Sequence, residues 1–258
     1  MQVPPFHTAE EMRAISDLVH QVEGLIVGVT ALLVLGEAGR RIRNRLLWPG
    51  AVCLAGLFLL AALLAPHHGW EHARAQWVFV FGDAQQRQHL AIAALVTLGG
   101  VAEILHRSGG LPGKRWAFVW PLAVAGVGAA FLLHTQHGTG EAVARAVLVH
   151  RLLAAAFIAT ALLRAAEVLK GPRAGFLRYA WGVTLLVAAG ILFAYREPPG
   201  AYAGHEPAAA SPQLGNGSEA ADSRLGKASP LQHGTAACRP GLDRCAVVGL
   251  LAIARRFT

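Results

Sequence analysis

The sequence predicts an all-α integral membrane protein: a bundle of six transmembrane helices, built from repeated helix pairs, with both termini outside. Three observations lead to this class. The chain of 258 residues is 54% hydrophobic and only 15% charged, where soluble domains carry about 25% charge. Its mean hydropathy is +0.44. Three stretches run without a charge, 21 residues at 46–66, 18 at 116–133 and 17 at 179–195, and such lengths match the hydrocarbon core of a bilayer. A soluble globular enzyme is excluded on this reading.

In chain order, residues 1–17 form a polar external segment. Glu10, Glu11 and Arg13 leave no room in it for a cleavable signal peptide. The first span is read at 18–38, the third at 89–105 and the fifth at 147–169. Their uncharged centres are only 12 or 13 residues long, and alternation with the three clear spans assigns them to the membrane. The transmembrane domain then covers 18–196. From 197 to 258 the composition changes. Gly, Ala, Ser, Pro and Asn dominate 198–235, so the tail is read as disordered. Cys238 and Cys245 fall in that tail and their pairing stays open, whereas Cys53 reads as a small core residue.

The net charge of +8 does not signal nucleic acid, because the basic residues sit in short loops between apolar runs. Arg40, Arg41, Arg43 and Arg45 fill the first connection. Arg107, Lys114 and Arg115 fill the third, and Lys170, Arg173 and Arg178 the fifth. The positive-inside rule puts these loops in the cytoplasm and both termini in the periplasm, which predicts a multi-pass protein of a bacterial inner membrane. Trp48, Trp116, Trp120 and Trp181 near span ends are expected in an aromatic belt. Residues 76–82 (QWVFVFG) are expected on the membrane surface, in a position to cover what lies at the outer end.

The spans repeat. Trp48-Pro49 opens the second and Trp120-Pro121 the fourth. The second ends in Pro66-His67-His68-Gly69 and the fourth in His134-Thr135-Gln136-His137-Gly138, while the odd spans begin near His20, His89 and His150 and end at Glu37, Glu103 and Glu167. The plain reading of these glutamates is pairing with nearby cations; proton or ion passage is the other.

Eleven of the twelve histidines fall on the outer side of this topology and only His106 on the inner side. The candidate site is His68, His89, His134, His137 and His150, joined by His20 and Glu23, which share a face of the first helix. His7, His72 and His205 are read as peripheral and His233 as tail. Imidazoles with an occasional carboxylate suit Cu(II), with zinc a near competitor. Met1 and Met12 are the whole methionine complement, which argues against a thioether-lined Cu(I) conduit. Only Thr30, Thr97 and Thr184 are read as polar mid-span residues, so binding or delivery is favoured over transport. No phosphate-binding loop, nucleophile elbow or HExxH helix is present, and no catalytic residue is assigned.

The stretches HTQHGTGEAVARAVLVHR (134–151), GDAQQRQHLAIAALVTLGGVAEILHR (82–107) and GILFAYREPPGAY (190–202) resemble the copper-resistance D (CopD-like) group of polytopic inner-membrane proteins. The resemblance covers roughly residues 46–202. It implies paired helices and copper binding, delivery or uptake at the periplasmic face, with His89, His134, His137 and His150 at the matched positions. A periplasmic copper-binding protein or other membrane subunits are the implied partners, besides the lipid bilayer. Two other functions stay open. One is a b-type cytochrome passing electrons from quinol, with His89 and His150 as axial ligands of haem b. The other is a structural subunit of a membrane complex, packed through Gly24, Gly28, Gly99, Gly100, Gly126 and Gly128.

Overall fold

The computed structural model describes residues 8–65, 69–135, 140–199 and 201–202. These residues are all-helical, and no strand occurs among them. Seven α-helices follow in order: α1 Ala9–Ala38, α2 Leu47–Leu64, α3 Ala73–Gly82, α4 Ala84–Arg107, α5 Val119–Leu132, α6 Gly140–Lys170 and α7 Leu177–Ala194. A short 3₁₀ turn, Lys114–Phe118, leads into α5. Six of the helices, α5 together with the 3₁₀ turn that leads into it (Lys114–Leu132), are long and apolar enough to cross a membrane, and α3, with ten residues, is not among them.

Local chemistry sets the boundaries. Thr8 and Glu11 form a reciprocal capping box at the start of α1: the Glu11 N–H donates to Thr8 Oγ1 and the Thr8 N–H to Glu11 Oε2. α1 therefore begins at Ala9, several residues before the apolar run, and its polar first turns belong to the helix. Asp83 caps α4 by accepting from the Gln86 N–H at 2.9 Å. Trp48-Pro49 and Trp120-Pro121 lie in the first turns of α2 and α5, where proline removes no intrahelical hydrogen bond.

The six long helices close into a ring. In spatial order they run α1, α7, α6, α5, α4, α2 and back to α1. The ring is joined between the first and last helices at both ends: Tyr179 Oη donates to Ala38 O at 3.2 Å, and the Glu197 N–H donates to Asp17 Oδ1 at 2.6 Å. Leu25, Leu54, Leu98, Leu122, Leu162 and Val187 face outward, a surface fitted to lipid rather than water. Inside are Val34, Val52, Leu59, Ile92, Val124, Leu153 and Leu185.

Close helix contact needs small residues, because lipid tails compete with apolar side chains and leave intimate packing to hold the bundle. At Gly24 a Cβ would sit 2.5 Å from the backbone nitrogen of Phe193 on α7. At Gly100 it would meet Cys53 Sγ at 2.7 Å, which gives Cys53 its role as a small packing partner of α4.

One end of the ring is closed by tryptophan and ion pairs. Trp48, Trp120 and Trp181 are buried at 1%, 4% and 3% exposure. Their rings meet at centroid distances of 5.6 Å (Trp48 to Trp120) and 5.4 Å (Trp48 to Trp181). This corrects the expected aromatic belt at three of its positions: these indoles fill the interior and do not face the lipid boundary. Over them lie Arg107, 4.6 Å from the Trp48 ring centre, and Arg164, 5.3 Å from that of Trp181. Glu103, with a fully buried side chain, accepts from Arg107 at 2.7 Å and from Arg164 at 3.1 Å. Glu37 accepts from Arg107 at 2.8 Å and Glu167 from Arg164 at 2.6 Å. The three glutamates that end the odd spans are thus paired with arginine, as their plain reading expects.

Two stability outcomes follow. Gly24→Ala is expected to cost about 1–3 kcal/mol by overpacking, read as a lower thermal midpoint in detergent by circular dichroism; an unchanged midpoint would refute so close a contact of α1 with α7. Glu103→Gln, which leaves two buried arginines short of a shared partner, is expected to cost about 3 kcal/mol. Glu167→Gln, at a site with 16% side-chain exposure, is expected to cost less, and equal losses would contradict the shared role of Glu103.

Candidate functional site

The other end of the ring gathers imidazoles. His20 lies on α1, His89 in the second turn of α4, His150 on α6, and His134 two residues past the end of α5. Their rings touch in sequence, with centroid distances of 6.4 Å (His20 to His89), 4.9 Å (His89 to His134) and 4.4 Å (His134 to His150). Tyr195, just past α7, closes the circuit at 4.9 Å from His20 and 5.9 Å from His150. Five aromatic side chains from five parts of the chain therefore form one ring of contacts across the bundle. Phe131 is the floor, stacked on His150 at 5.7 Å and on Phe157 at 5.7 Å.

Backbone carbonyls fix which nitrogen faces inward. Nδ1–H of His20 donates to Ser16 O at 2.7 Å, and that of His89 donates to Gln85 O at 2.9 Å. A carbonyl only accepts, so Nδ1 carries a proton in both rings, and a neutral ring then has its lone pair on Nε2. Outer hydrogen bonds of this kind are what orient metal-binding histidines. His150 Nδ1, by contrast, lacks a well-formed hydrogen bond. His134 owes its place to Gln88. The Gln88 amide donates to Leu133 O at 2.7 Å and accepts from the Thr135 N–H at 2.8 Å, clamping the chain on either side of His134 above His89.

A second layer comes from the segment after α7, which the sequence reading places at the start of the tail. Glu197 and Tyr202 are buried, at 5% and 6% exposure. Tyr195 Oη donates to Glu197 Oε2 at 2.9 Å and Ser16 Oγ donates to Glu197 Oε1 at 2.8 Å. The same serine gives its carbonyl to His20. Asp17, Ser16, Tyr195, Glu197 and Tyr202 are thus site residues that sequence reasoning missed. A signal for three of them is the pair Tyr195 and Tyr202 flanking Glu197 in an otherwise tail-like stretch, whereas Ser16 and Asp17 carry none. Burial, and then the neighbouring Glu197 carboxylate, push the Tyr195 phenol above its ordinary range, and burial does the same to Tyr202.

Glu23 lies one turn into the bundle from His20 and lines two small cavities. One, of about 90 Å³, is shared with His20, His89, Gln85 and Tyr202. The other, of about 60 Å³, is walled by Val52, Leu59, Ile92, Val124 and Leu185. Gln76 and Phe79 of α3 border the first cavity, so α3 covers one side of the histidine layer. It is held there by Gln76 Nε2 and Trp77 Nε1, which donate to the terminal carbonyls Leu63 O and Leu64 O of α2.

Of the predicted site, the fold brings His20, Glu23, His89, His134 and His150 to one end. His68 and His137 lie outside the described residues, as do His7, His67, His205 and His233. His72 falls in a separate 3₁₀ turn, Trp70–His72, beyond the end of α2 at Leu64. His106 is at the opposite end, donating to Leu111 O at 3.0 Å.

The donor chemistry suits copper or zinc, and the rings are spaced on the scale of a coordination shell. Among the described residues, however, no group of three or more His, Cys, Asp or Glu side chains has its donors gathered as a metal ion would need. Binding by these residues therefore requires the rings to turn. The fit to haem is poorer: the His134 ring stands between those of His89 and His150, where a porphyrin ligated by both would have to lie. No family model matches this chain, and neither the curated proteins nor the solved structures give a match.

The Tyr195 hydroxyl provides a pH-dependent reporter. Its folded pKa is raised, so its contribution to stability is complete below the unfolded value of about 10 and is lost as the pH rises past it. Tyr195→Phe is expected to be less stable than wild type by about 1.5–3 kcal/mol at neutral pH. That gap is expected to narrow above about pH 10, measured by denaturant unfolding in detergent. A gap that widens with pH would reverse the assignment.

Proposed function

We propose that this chain is a multi-pass inner-membrane protein that binds copper through its histidine layer at the periplasmic face, in copper homeostasis, delivery or uptake, with zinc as the nearest competitor. The observation that carries this reading is the circuit of His20, His89, His134 and His150, brought to one end of the bundle by three helices and the segment just past α5. The resemblance to CopD-like proteins points the same way, since its matched His89, His134 and His150 are members of that circuit. The orientation rests on charge: the ten basic residues of the three odd connections lie at the end opposite the histidines.

A copper ion held here would be a carrier's cargo rather than a reagent. The chain's own part is to present Nε2 lone pairs, to hold His20 through Ser16 and Glu197, to place His134 through Gln88, and to keep water from below with Phe131 and Phe157. Capture and release at one face is favoured over passage. The mid-bundle hydroxyls are spent on their own helices: Thr30, Thr97 and Thr160 donate to Ile26 O, Ala93 O and Ala156 O, each at 2.8 Å. Thr160, which the sequence reading left out, also has its Oγ1 2.9 Å from Thr184 Oγ1 on α7, so its one proton is shared between that oxygen and Ala156 O. A periplasmic copper-binding protein is the partner that delivery would require.

The deciding experiment is metal analysis with an absorbance and paramagnetic-resonance spectrum, on full-length protein purified in detergent and loaded with copper. Wild type is expected to retain stoichiometric copper with nitrogen hyperfine structure, and His89→Ala/His150→Ala to lose it while still melting cooperatively. A wild type that keeps no copper, or a double variant that keeps all of it, would overturn the proposal. A Soret band lost in the variant would transfer the site to haem.

A further inference from the structure

The apolar space of about 60 Å³ below Glu23 lies at the centre of the bundle, because all six long helices contribute side chains to its wall. Its lining runs from Glu23 to Thr30 along α1 and from Phe131 to Trp120 along α5. At 1.5 Å per residue, those spacings give it a depth of about 10–16 Å. Small side chains, Ala55 and Ala123 with Gly56 between neighbouring helices, leave the room. So little volume over such a depth makes a narrow shaft along the ring axis. Its mouth is Glu23, which also lines the polar cavity of about 90 Å³ shared with His20 and His89. Its floor is Trp120, at the tryptophan end of the ring.

Water is a poor occupant of this shaft. A buried water needs about two to four polar partners. Between mouth and floor the wall offers only Thr30, whose proton is committed to Ile26 O, and at the floor the Trp120 N–H, buried and without an acceptor. A hydrocarbon chain suits both the shape and the lining, since it restores the dispersion contacts that an empty shaft forfeits. The mouth selects the head group. Glu23 has no hydrogen-bond or ion-pair partner among the described residues, and His20 and His89, with Nδ1–H held by carbonyls, offer Nε2 as an acceptor when neutral. Acceptors call for a donor, and a second carboxylate is repelled by an ionised Glu23. We infer that the shaft binds a single-chain amphiphile, its hydrocarbon chain along the ring axis and a hydroxyl or amine head at Glu23. No step of this inference needs copper, so it stands or falls apart from the metal reading.

The test uses metal-free, full-length protein in a steroid-based detergent, whose fused rings are too wide for the shaft. 10-Bromodecan-1-ol is titrated while tryptophan emission is followed, because a bromine at the chain end reaches towards Trp120. Saturable quenching is expected, reversed by excess decan-1-ol and on the order of tenfold less well by decanoate, whose charge meets Glu23. Decylamine competing better than decan-1-ol identifies an amine head; the reverse order identifies a hydroxyl. Ala55→Phe, which fills the shaft, is expected to lose the saturable quenching while still melting cooperatively. If it lacks a cooperative melt, Val127→Phe, on the same wall, is read in the same way. The inference is overturned by quenching that does not saturate, by decanoate competing as well as the alcohol and the amine, or by a folded filled variant that is quenched like wild type.

Discussion

An apolar exterior dictates the rest of this structure. With leucine and valine facing outward on all six long helices, each polar side chain within the spans must find its partner inside the ring or at its two ends, because hydrocarbon offers none. The threonines of the middle resolve this within their own helices. Everything larger is moved to the ends, so that the bundle becomes two polar plates separated by an apolar centre.

The plates solve the same problem with different chemistry. At one end, permanent charges neutralise each other: Glu103 accepts from two arginines, which also lie over two buried tryptophans. This arrangement is costly to disturb, since removing any member strands a charge in a low dielectric. At the other end the groups are imidazoles, phenols and a few carboxylates, joined by ring contacts and single hydrogen bonds. Ring contacts of this kind hold each partner by about 0.5–1.5 kcal/mol, so His134 or His150 turns far more readily than Arg107 leaves Glu103. The charged plate fixes the ring of helices; the imidazole plate is able to adjust to a guest.

What the sequence revealed, and what it hid, divides along the same line. Spans of 17 to 21 uncharged residues are legible because hydrocarbon thickness sets a length that composition alone can meet. The histidine end was legible because alternation of spans sends every second helix start, and the loops that precede it, to one side. Trp48, Trp120 and Trp181 were misplaced because position near a span end does not distinguish lipid-facing from axis-facing. The repeated Trp-Pro pairs were the better clue, for they place two indoles at matching points of two helices. Glu197 was hidden for another reason: its partners Ser16 and Asp17 lie some 180 residues away, and only closure of α1 on α7 brings them together. A Pro-Pro-Gly stretch gives no local sign of that.

Glu23 shows how far the polar end reaches into the bundle. From the cavity shared with His20 and His89, the path inward passes the Glu23 carboxyl group and then a space of about 60 Å³ walled almost wholly by apolar side chains. Thr30 borders that space, but its hydroxyl proton is committed to Ile26 O. Past this point stand the three tryptophans, and then the closed ion-pair network of Arg107 and Arg164 with their glutamates. Under the proposed reading, a metal ion would meet polar groups of falling number and then an apolar barrier. The order of those groups along the axis favours, for the proposed copper site, capture at the histidine layer over passage, with Glu23 as the deepest polar group of that end.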